Sequence, residues 1–443
     1  MTDSKTNPRT QYFAPSGSLR GTLQVPGDKS ITHRAILLGL LANGETEIDG
    51  WLDAADCRSS LRVASLLGAG VKEQGPVLQI QGTGGTLAEP VDVLDCGNSG
   101  TTLRVFLGAL AARVRFCSVT GDYSLRHRPM GRVIQPLQAM GAQIFARSGH
   151  LAPLCVQGGR LHGIEYTLPV ASAQVKSAIL MAGLLAETGT TTVIEQTVSR
   201  DHTENMLLGF GAHVEREWLS TGGQRITVAP GQSLQACRVQ VPGDFSAAAF
   251  HVAAALVVPG STVTLQNVGL NPTRTGFLNV VERMGAHLSI TGQRLSAGEA
   301  LGNLIVHSEA LQGVDIHSEE VPALIDELPV IAVLAAYAHG TTHVHGASEL
   351  RFKETDRITA MVSGLQNIGV DAEETADGFI VRGRGDGIPG GQVSSRGDHR
   401  VAMSLAIAGM GSQRGVEVEE WGCVEISYPR FLTDIRQLGY IGL

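Results

Sequence analysis

The chain repeats itself. A helical pattern that closes on a glycine, usually followed by alanine, leads into a short strand, a turn and a second strand. This recurs at Gly68-Ala69, Gly141-Ala142, Gly211-Ala212, Gly285-Ala286, Gly369-Val370 and Gly439-Tyr440, at intervals of 73, 70, 74, 84 and 70 residues. Each glycine sits where a helix end needs a left-handed residue, which glycine adopts without a Cβ penalty. The residues beyond it alternate or run apolar, as in Val77-Leu78-Gln79-Ile80 and Phe379-Ile380-Val381, and read as strand. Six units of roughly 70 residues are too short for separate domains and too regular for chance. The expected class is α/β of the α+β type.

A coarser repeat groups the six units. Val25-Pro26-Gly27-Asp28-Lys29-Ser30 returns 216 residues later as Val241-Pro242-Gly243-Asp244-Phe245-Ser246, and each copy leads into an apolar helix, 35–41 and 247–256. At 443 residues the chain exceeds what one hydrophobic core usually supports. Two lobes of three units each are the natural grouping, with a crevice between them. The expected division is an inserted lobe over 26–241 and a discontinuous lobe of 1–25 plus 242–443. The strand before Val25 has no room for a unit of its own and is assigned to the second lobe. Two covalent crossings between lobes favour domain closure over free swinging.

Composition removes several classes of function. Hydrophobic residues make up 43% and charged residues 17%, enough for a core and unlike a disordered chain. A formal charge of −8 and only 5% aromatics argue against nucleic acid and anionic membranes as partners. Any local cluster of Arg and Lys therefore stands out. The six cysteines show no CxxC pair and no His–Cys metal spacing, and read as reduced thiols. The first residues are polar, and the longest apolar stretches, near 250–258 and 328–338, are too short to span a bilayer. A cytoplasmic protein is expected.

The chemistry concentrates at loop-to-helix junctions. Gly27-Asp28-Lys29-Ser30 precedes a helix with Arg34 near its start, and Gly97-Asn98-Ser99-Gly100-Thr101-Thr102 precedes another with Arg104. Ser172-Ala173-Gln174-Val175-Lys176, Ser199-Arg200-Asp201-His202-Thr203, Asn271-Pro272-Thr273-Arg274, Lys353-Glu354-Thr355-Asp356-Arg357 and Gly397-Asp398-His399-Arg400 have the same form, and Arg126 and Arg128 lie in a further loop. Helix N-termini present unpaired N–H groups that favour anions, and arginine adds a planar fork for phosphate or carboxylate. A small polyanion is the implied ligand class. Taken singly each junction also fits a solvated turn with a capping residue. No GxxxxGK[ST] occurs, so a P-loop is excluded. Asp326 and Glu327 could serve only to start a helix, and Glu354 could pair with Lys353 or Arg357.

Together these segments carry a resemblance. Pro26-Gly27-Asp28-Lys29-Ser30-Ile31-Thr32-His33-Arg34, the 97–102 loop, Arg128-Pro129-Met130-Gly131-Arg132, the 171–177 segment, Asn271-Pro272-Thr273-Arg274, the 350–357 segment and Asp398-His399-Arg400 resemble the signature segments of the 5-enolpyruvylshikimate-3-phosphate synthases, from about Leu23 to about Phe431. The resemblance implies two lobes, each of three βαβαββ units (an inside-out α/β enolpyruvyl transferase fold), and an enzyme without cofactor or metal. It implies transfer of the enolpyruvyl group of phosphoenolpyruvate to the 5-hydroxyl of shikimate 3-phosphate, on the route to chorismate and aromatic amino acids, by a chain acting as a monomer. Carried over by position, Lys29 resembles the residue shared by both substrates. Ser30, Arg34, Ser172, Ala173, Gln174, Arg200 and Lys353 resemble shikimate 3-phosphate ligands. Gly100, Arg128, Gln174, Arg357 and Arg400 resemble the phosphoenolpyruvate shell. Asp326 matches the acid beside the attacking hydroxyl, and Glu354 the acid beside the methylene carbon.

Departures from the family pattern are few. Glu425-Ile426-Ser427-Tyr428-Pro429 has no lysine where many members carry one, and Ser172-Ala173 stands in place of Ser-Ser. Gly100 lies where some glyphosate-tolerant members carry alanine, which implies inhibition by glyphosate. The nearest rival, a UDP-N-acetylglucosamine enolpyruvyl transferase, needs a cysteine in its catalytic loop, and 121–128 has none. A phosphate-dependent RNA-end protein conflicts with the charge balance, and a non-catalytic anion sensor would not need both acids.

Overall fold

The computed structural model describes residues 10–220 and 222–442. All six repeat glycines take a positive φ, between 82° and 106°. Behind each lies the end of a helix, and ahead of the first five a hairpin, as at Ala55–Leu66 followed by strands Gly70–Gln74 and Val77–Gln81; residues 440–442 after Gly439 form no strand, contrary to the sequence reading.

The chain divides into two compact units, Gly27–Pro242 with Leu295–Glu299, and Met1–Pro26 with Gly243–Arg294 and Ala300–Leu443. The divisions fall one residue later than the sequence reading put them. Residues 295–299 group with the inserted unit, which the repeat spacing gave no sign of.

Among the described residues there are six sheets, three in each unit, and one topology recurs. In the second sheet of the inserted unit, Leu94–Asp95 pairs in parallel with Cys117–Thr120, which pairs antiparallel with Leu151–Gln157, and Gln143–Arg147 completes the edge. A helix follows each of the first two strands, giving βαβαββ. The first sheet of the inserted unit takes its leading strand, Arg238–Gln240, from the far end of the insert, in parallel with Glu45–Asp49. In the discontinuous unit Arg20–Leu23 fills the same place beside Thr262–Gly269, and Gln11–Phe13 closes the last sheet against Val416–Glu419.

Six helices form the interiors: α1 (Lys29–Leu41), α2 (Gly100–Arg113) and α3 (Ala173–Leu184) in the inserted unit, and α4 (Phe245–Val257), α5 (Leu328–Tyr337) and α6 (His399–Gly411) in the discontinuous one. Nearly every residue of each is buried, so they are apolar all round rather than striped. Each unit has its own core built on its three helices. Close crossing needs small residues. A Cβ on Gly108 of α2 would sit 2.2 Å from the carbonyl oxygen of Ala178 on α3, a separation no side chain can occupy.

Each core also buries one neutral histidine. His33 on α1 bonds through Nδ1 to Ser60 Oγ at 2.8 Å, and that hydroxyl continues to Thr102 on α2. His251 on α4 bonds through Nε2 to the Tyr428 hydroxyl at 2.7 Å, while that hydroxyl donates to Asp434 at 2.8 Å. Since the phenol hydrogen goes to the carboxylate, His251 carries its proton on Nε2. Burial pushes both imidazoles down to about 3. Their unfolded values lie near 6.5, so between those limits the unfolded chain binds more protons and stability falls as pH falls. At pH 5 each costs about 2 kcal/mol relative to neutral pH. We expect the urea midpoint to drop between pH 7 and 5, and His251→Gln to flatten that slope by one proton; an unchanged slope would contradict the assignment.

Candidate active site

Burying a helix on all sides leaves its end groups to be satisfied locally. Five of the six interior helices start at a capping side chain placed directly after a strand or turn. Asp28 accepts from the Ile31 N–H at 2.9 Å, Ser99 from Thr102 at 3.1 Å, Ser172 from Val175 at 3.5 Å, Asp244 from Ser246 at 2.8 Å, and Asp398 from Arg400 at 2.8 Å. Of the residues singled out in the sequence, Lys29, Ser30, Gly100, Ala173, Gln174 and Arg400 sit on the first turns after these caps.

In the inserted unit those first turns touch one another. Arg34 is buried, and its guanidinium donates to Thr203 Oγ1 at 2.7 Å, Ser177 Oγ at 2.8 Å and the Ser30 carbonyl at 2.9 Å. Burial pushes it down to about 10, against the attraction of Glu204 and Asp28. Arg104 donates to Gln174 Oε1 at 2.8 Å, and Gln174 in turn donates to Thr101 at 3.0 Å. Arg128 is held by the Asn98 side-chain oxygen at 2.8 Å and Ser124 Oγ at 3.1 Å, with Asn98 oriented by Asp122 at 2.7 Å. The structure thus groups Ser30, Arg34 and Ala173, whose carbonyl accepts from Ser177, and separately groups Gly100, Arg128 and Gln174.

Arg104 was absent from the residues carried over from the family, and it belongs with them. Burial and the like charges of Arg128 and Arg132 push it down to about 10. Both Arg104 and Arg128 hydrogen-bond only to neutral acceptors among the described residues. Two guanidiniums held side by side by neutral acceptors alone make a place for an anion. The signal was in the sequence, since Arg104 and Arg132 lie in the quoted motifs. Gly100 opens α2 at this spot, and a Cβ there would lie 3.0 Å from Nη1 of Arg104 and 3.6 Å from Nη1 of Arg128.

Lys29 pairs with Asp56 at 3.2 Å. Arg200 follows a segment anchored from below. Fully buried Lys176 contacts Glu195 at 2.8 Å, Glu204 at 2.7 Å and the Ser199 carbonyl at 3.2 Å, while Glu195 accepts from the Ser199 N–H and hydroxyl. Burial alone would depress the lysine, but the two carboxylates outweigh it and hold its pKa above the ordinary value.

In the discontinuous unit one arginine organises the site. Arg357, 2% exposed, donates from Nε to Asp398 at 2.8 Å, from Nη2 to Glu354 at 2.6 Å and from Nη1 to Asp326 at 3.4 Å. Burial opposes its charge, yet Glu354, Asp398 and Asp326 more than compensate and raise its pKa. Asp326 also lies 3.8 Å from Lys353 and 3.7 Å from Arg400, whose Nη1 donates to the Asp326 carbonyl at 3.1 Å. Beside it Glu327, the N-terminal flank of α5, accepts from the Ser246 hydroxyl, and Ser246 accepts from Arg274 at 2.7 Å. All five residues carried over to this unit, Asp326, Lys353, Glu354, Arg357 and Arg400, are therefore one network. At the departure near Ile426 the segment's own cation, Arg430, pairs with Asp434 at 3.0 Å.

The comparisons with known proteins agree. The family model described as EPSP synthase (3-phosphoshikimate 1-carboxyvinyltransferase) matches residues 13–435. The chain belongs to the EPSP synthase family. Relatives named 3-phosphoshikimate 1-carboxyvinyltransferase include one from Synechococcus sp. (strain JA-3-3Ab), 50% identical and covering 96% of each chain, and one from Shouchella clausii (strain KSM-K16), 49% identical over 96% of this chain and 97% of its own. A solved EPSP synthase from Acinetobacter baumannii superposes with a TM-score of 0.89 at 38% identity, over 97% of this chain and 98% of that one. The mixed α/β architecture is that of the EPSP synthases. Burial raises the thiols of Cys96, Cys117, Cys237 and Cys423, which makes these four poor nucleophiles. Among the described residues no helix is long and apolar enough to cross a membrane.

Removing Lys176 would leave Glu195 and Glu204 buried without their cation. Lys176→Ala is expected to lower the unfolding free energy by about 3–5 kcal/mol, measured by urea denaturation; a loss below about 1 kcal/mol would show that water repairs the gap.

Proposed function

We propose that the chain transfers the enolpyruvyl group of phosphoenolpyruvate to the 5-hydroxyl of shikimate 3-phosphate and releases inorganic phosphate. The substrates, the transferase class and the place in aromatic amino-acid biosynthesis follow from the family. The observation that carries the assignment of parts is the grip of Arg357 on both Asp326 and Glu354.

The reaction is an addition followed by an elimination. The 5-hydroxyl loses its proton and attacks C2 of phosphoenolpyruvate while a proton arrives at the methylene carbon, giving a tetrahedral intermediate with a methyl group. That intermediate then expels phosphate, and the methyl group gives up a proton to restore the double bond. Two acids fixed by one guanidinium keep a defined separation, which suits a base at the hydroxyl and an acid at the carbon. In this reading Asp326 works beside the hydroxyl, Glu354 beside the methylene carbon, and Lys29 beside the bridging oxygen. Ser30, Arg34, Ser172, Ala173, Gln174, Arg200 and Lys353 bind shikimate 3-phosphate. The phosphoenolpyruvate anion is taken by Lys29, Gly100, Arg128, Gln174, Arg357 and Arg400, and we add Arg104. Fixed cations at developing negative charge stabilise the intermediate without reorganisation.

The decisive experiment follows phosphate release from phosphoenolpyruvate with shikimate 3-phosphate or UDP-N-acetylglucosamine as acceptor. Release is expected only with shikimate 3-phosphate, and Asp326→Asn is expected to lower kcat by about 10²–10⁴-fold in a folded protein. Release only with the sugar nucleotide would overturn the acceptor, and none with either would favour an anion-binding protein.

Gly100 tests the arginine group. An added methyl 3.0 Å from Arg104 forces a shift of a few tenths of an ångström at the anion position. Gly100→Ala is expected to raise the inhibition constant for glyphosate more than the KM for phosphoenolpyruvate. Equal inhibition constants in wild type and variant would remove Gly100 as the determinant.

A further inference from the structure

A second cluster of chemistry-bearing side chains lies in the discontinuous unit, outside the network around Arg357. Strand Asp315–Ile316 pairs in parallel with His339–Val344, with Asp315 opposite His343 and Ile316 opposite Val344. Side chains alternate across a sheet, so Asp315 and His343 share one face, and His345, two residues beyond His343, continues it. Ile316 and Val344 are buried on the other face, whereas Asp315 is exposed and both histidines are half-buried. One ligand atom from each of Asp315, His343 and His345 lies within 4.8 Å of those of the other two. The rings of His343 and His345 are 3.6 Å apart between centroids, and His317 stacks on His345 at 6.1 Å. Among the described residues none of the three side chains has a hydrogen-bond or ion-pair partner of its own. Polar side chains gathered on one face yet left unpaired are arranged for something outside the chain.

We propose that Asp315, His343 and His345 form a binding site for a divalent transition metal, with Zn²⁺ as the expected occupant. Two imidazoles and one carboxylate are a borderline donor set, suited to Zn²⁺, Co²⁺ or Ni²⁺ and poorly suited to Mg²⁺ or Ca²⁺, which want oxygen alone. Bonds of about 2.0–2.2 Å draw three donor atoms to within about twice that distance of one another. Rotation of side chains on an outward sheet face achieves that without moving the strands. Water completes the coordination, and His317 is placed to support His345.

The location gives the ion a consequence. The chain leaves Ile316 for the segment that carries Asp326, and leaves Val344 for the segment that carries Lys353 and Glu354. A metal bridging Asp315 to His343 and His345 ties together the roots of both segments. It takes no part in the reaction, and its binding stabilises the unit that holds the acids.

The test uses the full chain after treatment with a chelator. Equilibrium dialysis against Zn²⁺, read by metal analysis, is expected to give one site of micromolar affinity or tighter, with Mg²⁺ failing to compete. Co²⁺ in its place is expected to give the visible absorption of a nitrogen-ligated site, and Zn²⁺ to raise the thermal midpoint. His343→Ala and His345→Ala are each expected to weaken this binding at least tenfold and abolish the thermal shift, while leaving metal-free phosphate release unchanged. Should either variant fold poorly, the conservative His345→Gln is expected to lose the Co²⁺ spectrum. No stoichiometric binding by the wild type, or equal binding by the histidine variants, would overturn the proposal.

Discussion

Burying whole helices is the constraint on which the rest of this structure depends. A helix surrounded by apolar neighbours has nowhere to hide its terminal N–H groups, so the chain must bring a capping oxygen to each start. Asp28, Ser99, Ser172, Asp244 and Asp398 do so, and the residue just after each cap is thereby fixed at a helix N-terminus with its partial positive charge. Contacts between first turns, Arg34 with Ser177 and Arg104 with Gln174, show that the three starts of the inserted unit share one end. Ser246, Glu327 and Arg400 show the same for the discontinuous unit. A packing requirement and an anion-binding requirement are met by the same atoms.

The two units use their charges differently. In the inserted unit Arg104, Arg128 and Arg132 crowd together, with neutral oxygens and amides holding the first two. In the discontinuous unit Arg357 is enclosed by three carboxylates, and its charge is balanced within the protein. One arrangement attracts an anion; the other fixes acids in place. A reaction that moves protons on a phosphorylated substrate needs both.

Much of this was legible in the sequence because it is local. The repeat glycines, the capping residues and the loop-to-helix motifs are properties of a few adjacent positions. Gly68 and Gly369 signal their left-handed turns without reference to any distant residue. What escaped was tertiary. That Arg357 reaches Asp326, 31 positions away, and Asp398, 41 positions away, depends on how three repeats close around their helices. The pairing of Glu354 with Arg357 was one of two readings left open, and the structure realises it at 2.6 Å while Arg357 also holds Asp326. Lys176 had looked like one more basic residue at a junction, yet it is wholly buried between Glu195 and Glu204. The 295–299 segment groups with the inserted unit through contacts such as His202 with Glu299 at 3.0 Å, which no local pattern announces.

The borrowed strands set an order of assembly. The first sheet of the inserted unit is complete once Arg238–Gln240 has been made, so that unit's own sheets are all available while barely more than half of the chain exists. The discontinuous unit has to wait. Gln11–Phe13 finds its partner only in Val416–Glu419, about 400 residues further along. A ribosome-bound chain therefore carries this edge strand unpaired until the last sheet is made, and closure of the unit that bears Asp326 and Arg357 waits for Val416–Glu419.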